Sequence, residues 1–351
     1  MFRSETLPLV SILIPCRNAA STICDALHSA IVQTWPRKEI IVVDDGSNDG
    51  SAALVEQFRG SNVVLLRGKG RGAAAARNEG LRAASGDFIQ YLDADDILSP
   101  DKITLQMEGL QSAAGALVAC GWQRFDRVPG DALKPVDGIF RDLSVQGYFE
   151  LYLNDQGDVP HGCWLIPRDV AIAAGPWNET LSNNDDGEYS ARLVAASTGV
   201  TFVGTGPLYF YRSSPGSLSA LDSSDKVRSA MRALDLIAEE AARWGIDLDA
   251  TKLGDKYYRL LIGGFPWSWP HERELRRRIE RWGGQMSAVR LGGKGVERVA
   301  SIVGWKAVRV LQVAKQSFLR RRCAAAVRPP VPPPEARDPG KGVARGCDSA
   351  E

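Results

Sequence analysis

Three aspartates follow a short apolar segment near residue 90 and could bind a divalent cation. Asp93, Asp95 and Asp96 come directly after residues 88–92, which read Phe-Ile-Gln-Tyr-Leu and predict a buried strand. Carboxylates crowded at the end of a strand resist ionising together. A hard cation such as Mg²⁺ or Mn²⁺ takes oxygen ligands and also binds phosphate oxygens. The cluster therefore predicts a site for a metal and a phosphorylated ligand.

The same aspartates could instead begin the next helix. Ser99 followed by Pro100 is a better helix start, because serine caps helices and proline suits the first turn. The aspartates then lie ahead of the helix, where their carboxylates can bind a ligand.

The segments around this cluster alternate between strand and helix patterns. Strands are predicted at 9–15, 39–44, 62–66, 88–92 and 116–121, and helices at 21–34, 51–59, 72–85 and 100–112. Continuously apolar strands separated by helices predict an α/β fold, with a mostly parallel sheet flanked by helices. Ligands bind such sheets at the carboxyl ends of the strands, where Asp44, Asp45 and the Asp93–Asp96 cluster would lie.

Beyond residue 121 the pattern is less regular and ends in a helical extension. Helices are predicted at 145–153 and 186–197, and strands at 163–167, 200–203 and 208–211. A charged helical pattern covers 225–282, with a Trp/Pro-rich turn at 265–270, and a basic amphipathic helix is predicted at 296–322. Pro-rich and Gly-rich composition predicts disorder from Cys323. Three regions are expected: a main domain at 1–222, a helical extension at 223–322 and a tail at 323–351.

Two further motifs could contact a ligand, although each has a simpler interpretation. Asp44 and Asp45 precede a glycine turn, and such carboxylates can accept from a base or ribose, but Asp-Gly-Ser is more often only a turn. The loop 68–72, Gly-Lys-Gly-Arg-Gly, runs into a predicted helix N-terminus, which suits phosphate. Arg77 follows, and taken alone it is typical of a structural ion-pair partner.

Composition excludes several classes of protein. The chain has 351 residues with 44% hydrophobic content and a formal charge of +1, which argues against a nucleic-acid binder. Six scattered cysteines form no CxxC pair, so we expect neither a zinc site nor a disulfide framework. No signal peptide or bilayer-spanning run is visible. We expect a cytoplasmic protein, with peripheral attachment to the inner face of the membrane as the alternative.

Taken together, the motifs resemble the family 2 inverting glycosyltransferases, which have the GT-A nucleotide-sugar-binding fold. The resemblance covers about residues 7–215. The matching segments are Val-Ser-Ile-Leu-Ile-Pro-Cys-Arg-Asn at 10–18, Gln-Thr at 33–34, Ile-Ile-Val-Val-Asp-Asp-Gly-Ser at 40–47, Ala-Arg-Asn-Glu-Gly at 76–80 and Tyr-Leu-Asp-Ala-Asp-Asp at 91–96.

The resemblance implies a donor site built from these segments. Pro15 and Asn18 would line the nucleotide pocket, and Asp44 and Asp45 would hold a uracil-like base or its ribose. Asp93-Ala94-Asp95 would be the DxD motif, with Asp93 towards the ribose and the metal and Asp95 on the metal. The implied donor is a nucleotide sugar, with UDP favoured, and Arg77 belongs to the same site.

The resemblance also implies a catalytic base downstream of the donor site. The segment at 183–192, Asn-Asn-Asp-Asp-Gly-Glu-Tyr-Ser-Ala-Arg, resembles the acidic pair that precedes a helix in this family. Asp186 matches the base, and Asp185 is the second candidate. Helix capping is the structural alternative, since aspartate favours a helix N-terminus. Glu188 and Arg192 are spaced for an ion pair along one helix face.

Three more residues could lie in the cleft. Trp177 could stack on an acceptor sugar, or it could belong to the core, and His161 could lie near the acceptor or be structural. Arg212, followed by Ser217–Ser219, resembles a loop that closes over the diphosphate. Some family members have a metal-binding histidine in this region; none stands here, so one or two protein ligands are expected for the metal.

These expectations favour one function and leave two alternatives open. The favoured function is metal-dependent, inverting transfer of a sugar to a hydroxyl of a glycan or lipid-linked acceptor, in surface polysaccharide or glycoconjugate synthesis. A non-catalytic sugar-nucleotide-binding or scaffold protein of the same fold is the first alternative. A nucleotidyltransferase would need a basic phosphate loop, which Arg17 alone does not provide. The basic helix at 296–322 could contact an anionic membrane or pack on its own domain.

Overall fold

A five-stranded sheet forms the centre of the computed structural model. The structure describes residues 7–110, 115–126, 128–129, 139, 141–156, 159–213, 220–284, 296 and 305–326. The strands are β1 (Val10–Cys16), β2 (Lys38–Asp44), β3 (Val63–Arg67), β4 (Phe88–Tyr91) and β7 (Ile166–Pro167). They lie in the order β3-β2-β1-β4-β7. The first four are parallel and β7 is antiparallel to β4, as the apolar strand pattern predicts.

Helices cover both faces of this sheet because the strands are apolar on both sides. Ile12 and Ile14 of β1 pack in one core with α1 (Ile23–Ile31), whereas Leu13 packs in a second core with α3 (Ala73–Ala83). Gly80 of α3 lies against Leu13 and Val43, so the helix approaches the sheet closely. The helices of this part are α1 (Ile23–Ile31), α2 (Ser51–Glu56), α3 (Ala73–Ala83) and α4 (Lys102–Gly109).

A second, three-stranded sheet contains β5 (Ile97–Leu98), β6 (Leu117–Phe125) and β8 (Val200–Arg212), in the order β5-β8-β6. The sequence predicts two strands where the structure has the single strand β8. Glycines in this stretch suggest a break, but they form an irregularity within the strand: the β6–β8 register shifts at Gly121, which lies against the Gly206 carbonyl. The prediction of two strands is therefore wrong.

The predicted strand at 163–167 begins later in the structure, with an isolated bridge at Leu165 and the strand β7 at Ile166–Pro167. A 3-10 turn at His161–Cys163 precedes the two residues of β7. Gly162 packs directly on the ring of Tyr209, and a Cβ at this position would lie 2.0 Å from Tyr209 Cε2. The turn can therefore follow this path only with glycine, and it places His161 at the end of β4.

Helices complete the rest of the described chain. They are α5 (Val145–Leu153), α6 (Arg168–Ala174), α7 (Asp185–Ala195), α8 (Ser224–Arg243), α9 (Ala250–Gly263), α10 (Glu272–Trp282) and α11 (Trp305–Ala326). The core that contains Leu13 continues without a break into α8, α9 and α10. In the described ranges no helix is both long enough and apolar enough to cross a bilayer.

The last predicted boundaries shift slightly. The helix predicted at 296–322 corresponds to α11, which includes residues 323–326, the first four residues of the predicted disordered tail. Alanines at 324–326 favour helix, which accounts for the extension. Residues 327–351, where the rest of the predicted tail falls, lie outside the described residues, and the domain limits stay predictions.

Replacing Gly162 by alanine tests the turn that carries His161. The added methyl group collides with Tyr209, so we expect the free energy of unfolding to fall by at least about 1–3 kcal/mol. Gly263→Ala is the control, because a Cβ at Gly263 meets nothing within 4 Å; it should be neutral or stabilising by up to about 1 kcal/mol. Denaturant unfolding measures both, and equal stability of the two variants would contradict the close packing.

Candidate active site

The first aspartate of the cluster is held by two cationic side chains. Arg77 donates a hydrogen bond from Nη2 to Asp93 Oδ1 over 2.9 Å, and His161 Nε2 lies 3.2 Å from the same oxygen. Burial raises the pKa of Asp93, but His161 and Arg77 outweigh this effect and hold the pKa far below its usual value. Asp93 is therefore a carboxylate whose charge the protein itself balances.

Asp96 lies inside the protein and points away from the cleft. The Tyr209 hydroxyl donates to its Oδ2, and the Arg212 backbone N–H donates to its Oδ1 over 2.8 Å. Burial and the neighbouring charges of Asp93 and Asp95 raise its pKa. Asp96 thus connects the acidic loop to β8, and its oxygens are engaged by the protein.

Arg212 fixes the loop from the other side. Its Nε donates to the Asp95 carbonyl over 2.7 Å, and its Nη2 donates to Asp25 over 3.0 Å. The guanidinium also stacks 4.6 Å from the centre of the Phe125 ring. The structure therefore brings Arg212 to the segment Asp93–Asp96, where its guanidinium holds the loop, and the expected contact of Arg212 with a diphosphate stays a prediction. Ser217–Ser219 lie outside the described residues.

Arg77 also joins the acidic loop to α7. Its Nη1 lies 3.4 Å from Asp185 Oδ2, while its Cζ lies 4.5 Å from the centre of the Trp177 ring. The side chain is almost fully buried, and a buried charge is tolerated only with paired partners. The interpretation of Arg77 as an ion-pair partner fits this geometry, and its two partners are both predicted site residues.

His161 also lies between the acidic loop that follows β4 and the start of α7. Its Nδ1 lies 3.7 Å from Asp186 Oδ2, so the ring stands between Asp93 and Asp186. Burial lowers the pKa of His161, but Asp93 and Asp186 raise it to about 9. The histidine is therefore a cation between two carboxylates at neutral pH.

The two candidate bases differ in accessibility and charge. The Asp186 side chain is 49% exposed, compared with 20% for Asp185. Partial burial raises the pKa of Asp186, but His161 and Arg77 lower it to about 2. Burial and the adjacent Asp186 raise the pKa of Asp185 to about 6, against the opposing effect of Arg77. Both lie in the first turn of α7, whose N-cap residue Asn184 makes no side-chain capping hydrogen bond.

Trp177 belongs to the core. Its indole stacks on Tyr189 with the ring centres 4.1 Å apart, and Arg77 lies near its ring. The side chain is 2% exposed, so a sugar could stack on it only after these partners moved. Of the two interpretations of Trp177, the structural one fits.

The predicted Glu188–Arg192 pair on α7 is confirmed at 2.7 and 2.8 Å.

The glycine-rich loop binds a carboxylate of the protein instead of an open phosphate site. Asp45 accepts backbone hydrogen bonds from Gly70, Arg71 and Gly72 at 2.8, 3.0 and 2.6 Å. These N–H groups stand at the N-terminus of α3, where an anion is favoured. The loop is expected to suit phosphate, but in the structure its N–H groups bind the Asp45 carboxylate, a partner that sequence spacing does not reveal.

The remaining residues predicted for the nucleotide site lie at the carboxyl ends of β1 and β2. Asp44 accepts from Arg67 over 3.2 Å through Oδ2, whereas its buried Oδ1 has no hydrogen-bond partner among the described residues. Asn18 adopts φ +50° and accepts from the Asn48 N–H, while its own N–H donates to Ser47. Pro15 lies beside Val43 in the strand pairing. Both aspartates are buried, and of the two only Asp44 has an oxygen without a hydrogen-bond partner among the described residues.

The donor set at Asp93 and Asp95 suits a hard cation. Both carboxylates are half-buried at the end of β4, and Ala94 between them is buried. Within the described ranges no cluster of three or more histidine, cysteine or acidic side chains could hold a metal by itself. Mg²⁺ prefers a mixed set of carboxylate oxygens from the protein and phosphate oxygens from a bound ligand. The two residues therefore fit a metal that binds together with a phosphorylated ligand.

A buried network that the sequence analysis missed supports the turn at His161. Lys102 is fully buried and donates to Gln90 and to Gln106, the latter over 2.6 Å. Gln90 Nε2 in turn donates to the Gly162 carbonyl over 2.8 Å, and Gln106 Nε2 to the Cys163 carbonyl over 2.9 Å. Lys102 and Gln106 look like ordinary surface residues of a helix in sequence, and Gln90 is a polar residue within the predicted buried strand. Neither pattern identifies the partners, so the network is not predicted.

Residues 11–173 match the sequence model of glycosyl transferase family 2. The match covers just under half of the chain, and it confirms the predicted resemblance to the family 2 glycosyltransferases. The matched segment contains the donor-site residues from Pro15 to Asp95 and also His161.

Named relatives match this chain either over a short stretch or, over a longer stretch, at lower sequence identity. WfgD of Escherichia coli, a UDP-Glc:α-D-GlcNAc-diphosphoundecaprenol β-1,3-glucosyltransferase, is 42% identical over 28% of this chain and 40% of its own length. TuaG of Bacillus subtilis is 37% identical over 33% of this chain and 47% of its own length. The glycosyltransferase GlyG of Streptococcus pneumoniae is 27% identical over 60% and 72%. The chain thus spans less than half of WfgD and TuaG.

Solved structures confirm the GT-A fold of the glycosyltransferase domain. Staphylococcus aureus TarS 1–349 in complex with UDP aligns with a TM-score of 0.62 at 16% identity, over 88% of this chain and 92% of TarS 1–349. The complex of TarS 1–349 with UDP-GlcNAc aligns with a TM-score of 0.60 at 17% identity, over 78% and 79%. At this identity the likeness establishes the fold.

The pH dependence of stability tests the position of His161 in metal-free protein. A pKa of about 9 in the folded protein lies above the usual 6.5. The stabilisation is therefore complete below about pH 6.5 and is lost as the pH rises through about 9. We expect the stability advantage of wild type over His161→Gln to shrink across this window, by at most about 3 kcal/mol.

Denaturant unfolding with a chelator present measures this difference at several pH values. His28→Gln is the control, because His28 is exposed on α1. A stability difference for His161→Gln that stays constant from pH 6 to 10 would contradict a charged histidine between the two carboxylates.

Proposed function

We propose that the protein is an inverting glycosyltransferase that moves a sugar from a nucleotide-diphosphate donor to a hydroxyl group of a glycan or lipid-linked acceptor. One observation carries the proposal: Arg77 and His161 bring the DxD segment of β4 and the acidic pair of α7 together in a family 2 domain. A UDP-sugar is the favoured donor, because UDP and UDP-GlcNAc complexes exist for the fold neighbour TarS.

In this proposal the donor lies along the carboxyl ends of β1, β2 and β4. Asp44, with its unpartnered Oδ1, accepts from the base or ribose, and Asn18 and Pro15 line the pocket. Asp93 lies towards the ribose, and Asp95 with Asp93 holds Mg²⁺ or Mn²⁺. The metal, when bound, neutralises charge on the leaving nucleoside diphosphate.

Asp186 is the proposed general base. It is ionised at neutral pH and half-exposed, so it can take the proton from an acceptor hydroxyl in the cleft. Inversion needs a single displacement: the acceptor oxygen forms the new bond to the anomeric carbon while the bond to the diphosphate oxygen breaks. His161 keeps Asp186 beside Asp93, which places the base near the donor. Asp185, paired with Arg77, is the alternative base.

Synthesis of surface polysaccharide or glycoconjugate is the proposed setting. WfgD, which resembles 28% of this chain, is named as a glucosyltransferase for a diphosphoundecaprenol-linked sugar. A lipid-linked acceptor would place the enzyme at the inner face of the membrane. Cytoplasmic catalysis with peripheral attachment is therefore part of the proposal.

Asp186→Asn tests the base. The amide keeps the shape of the side chain but cannot accept the proton, so we expect the rate of UDP release in the presence of acceptor to fall about 10²–10⁴-fold. Donor affinity, measured by calorimetry with UDP-sugar and Mn²⁺, should change little. Asp185→Asn is the matched comparison; full activity in Asp186→Asn together with loss in Asp185→Asn would assign the base to Asp185.

Asp95→Asn tests the metal. For wild type we expect UDP and Mn²⁺ together to raise the melting temperature, with a stabilisation of about 2.7 kcal/mol at one hundred times the dissociation constant. Asp95→Asn should lose most of the part that depends on Mn²⁺. Asp101→Asn is the control, since Asp101 is exposed and makes no capping hydrogen bond. An unchanged Mn²⁺ effect in Asp95→Asn would remove Asp95 from the metal site.

A further inference from the structure

Exposed apolar side chains are concentrated in the helical extension. Nine large apolar side chains are exposed in the described part of the chain. Four of them belong to the turn before α10 and to α11: Trp267, Trp269, Val310 and Leu311. Trp269 is 59% exposed and Leu311 68% exposed. Isolated exposed apolar residues are ordinary, but a grouped set marks an interaction site.

The turn and α11 are in contact, so the four side chains belong to one region. Lys306 Nζ of α11 lies 5.3 Å from the centre of the Trp269 ring. Phe265 stacks on Trp269 with the ring centres 5.9 Å apart and meets Trp305 of α11 edge-on at 5.8 Å. The exposed tryptophans therefore stand next to the first turns of α11.

The exposed face of α11 is apolar. Trp305 and Val308 are buried and attach the helix to the body, whereas four residues at positions i, i+3, i+4 and i+7 are exposed: Ala307, Val310, Leu311 and Ala314. This spacing forms one stripe along a helix. The helix thus has a second apolar side, which no described residue covers.

All the charged residues of α11 are basic. Its 22 residues include six basic residues and no acidic residue, namely Lys306, Arg309, Lys315, Arg320, Arg321 and Arg322. In the described part of the helix, Lys306 pairs with Glu272 over 2.7 Å and Arg309 donates to the Ile262 and Gly263 carbonyls, whereas Lys315 is exposed. A helix that joins an apolar stripe to a net positive charge complements the anionic headgroups and acyl boundary of a lipid bilayer. Tryptophan and lysine favour the same interface, because each combines an apolar body with a polar end.

We propose that α11 and the turn carrying Trp267 and Trp269 form a docking surface for an anionic lipid membrane. The absence of acidic residues on α11 favours lipid over a second copy of this chain, since a symmetric contact would bring its like charges together. The surface lies outside the glycosyltransferase domain at residues 11–173. The surface specifies the peripheral attachment that the proposed function includes, and in that respect the inference rests on the proposed function.

Vesicle sedimentation of the full chain tests this surface. We expect the protein to bind phosphatidylcholine vesicles that contain phosphatidylglycerol, and to bind pure phosphatidylcholine much more weakly. Binding should fall as the salt concentration rises, because salt screens the basic residues. Leu311→Glu should reduce the partition coefficient about tenfold or more, since it places a negative charge within the stripe.

Ile172→Glu is the matched control, because Ile172 on α6 is 65% exposed and lies outside this surface. It should bind vesicles like wild type. Equal binding of Leu311→Glu and wild type would overturn the proposal. So would equal binding to neutral and anionic vesicles, or a concentration-dependent dimer that Leu311→Glu abolishes without any vesicle binding. UDP binding, measured on the same variants, reports separately on the donor site.

Discussion

A buried arginine holds the candidate active site together. Arg77 is nearly inaccessible to water and pairs with Asp93 at the end of β4 and with Asp185 at the start of α7. The cost of burying its charge is offset only while both carboxylates stay in place. The two acidic segments lie far apart in the chain, so the fold must bring them to the same guanidinium. His161 repeats this connection between Asp93 and Asp186.

The three aspartates that follow β4 therefore have separate roles despite their adjacency. Asp93 is neutralised by protein cations, and Asp96 is turned inward to Tyr209 and the Arg212 backbone. Repulsion among the three charges, which from sequence alone argues for a metal, is thus largely relieved by the protein itself. A metal at Asp95 and Asp93 is then supported mainly by the donor chemistry and by the phosphate oxygens that a nucleotide would bring.

Local patterns predict the elements well, because each strand of the central sheet carries its own apolar signal. They fail where glycine has a tertiary role: Gly121 and Gly206 sit within the β6–β8 pairing, and Gly162 permits a turn against Tyr209. The motif residues predict which carboxylates gather at the sheet edge. They do not predict that Asp45 holds the glycine-rich loop or that Lys102 and two glutamines support His161, since these contacts join residues whose partners are set by the whole fold.

The core shared between the central sheet and α8–α10 has a practical consequence for recombinant work. Val227, Leu234 and Tyr257 are buried in the same cluster as Leu13 and Tyr91. A truncated gene that stops at the family boundary near residue 173 would leave the apolar partners of these helices facing water, and such a fragment is prone to aggregate. Shortened versions intended for crystallisation should retain the chain through Trp282, where α10 ends.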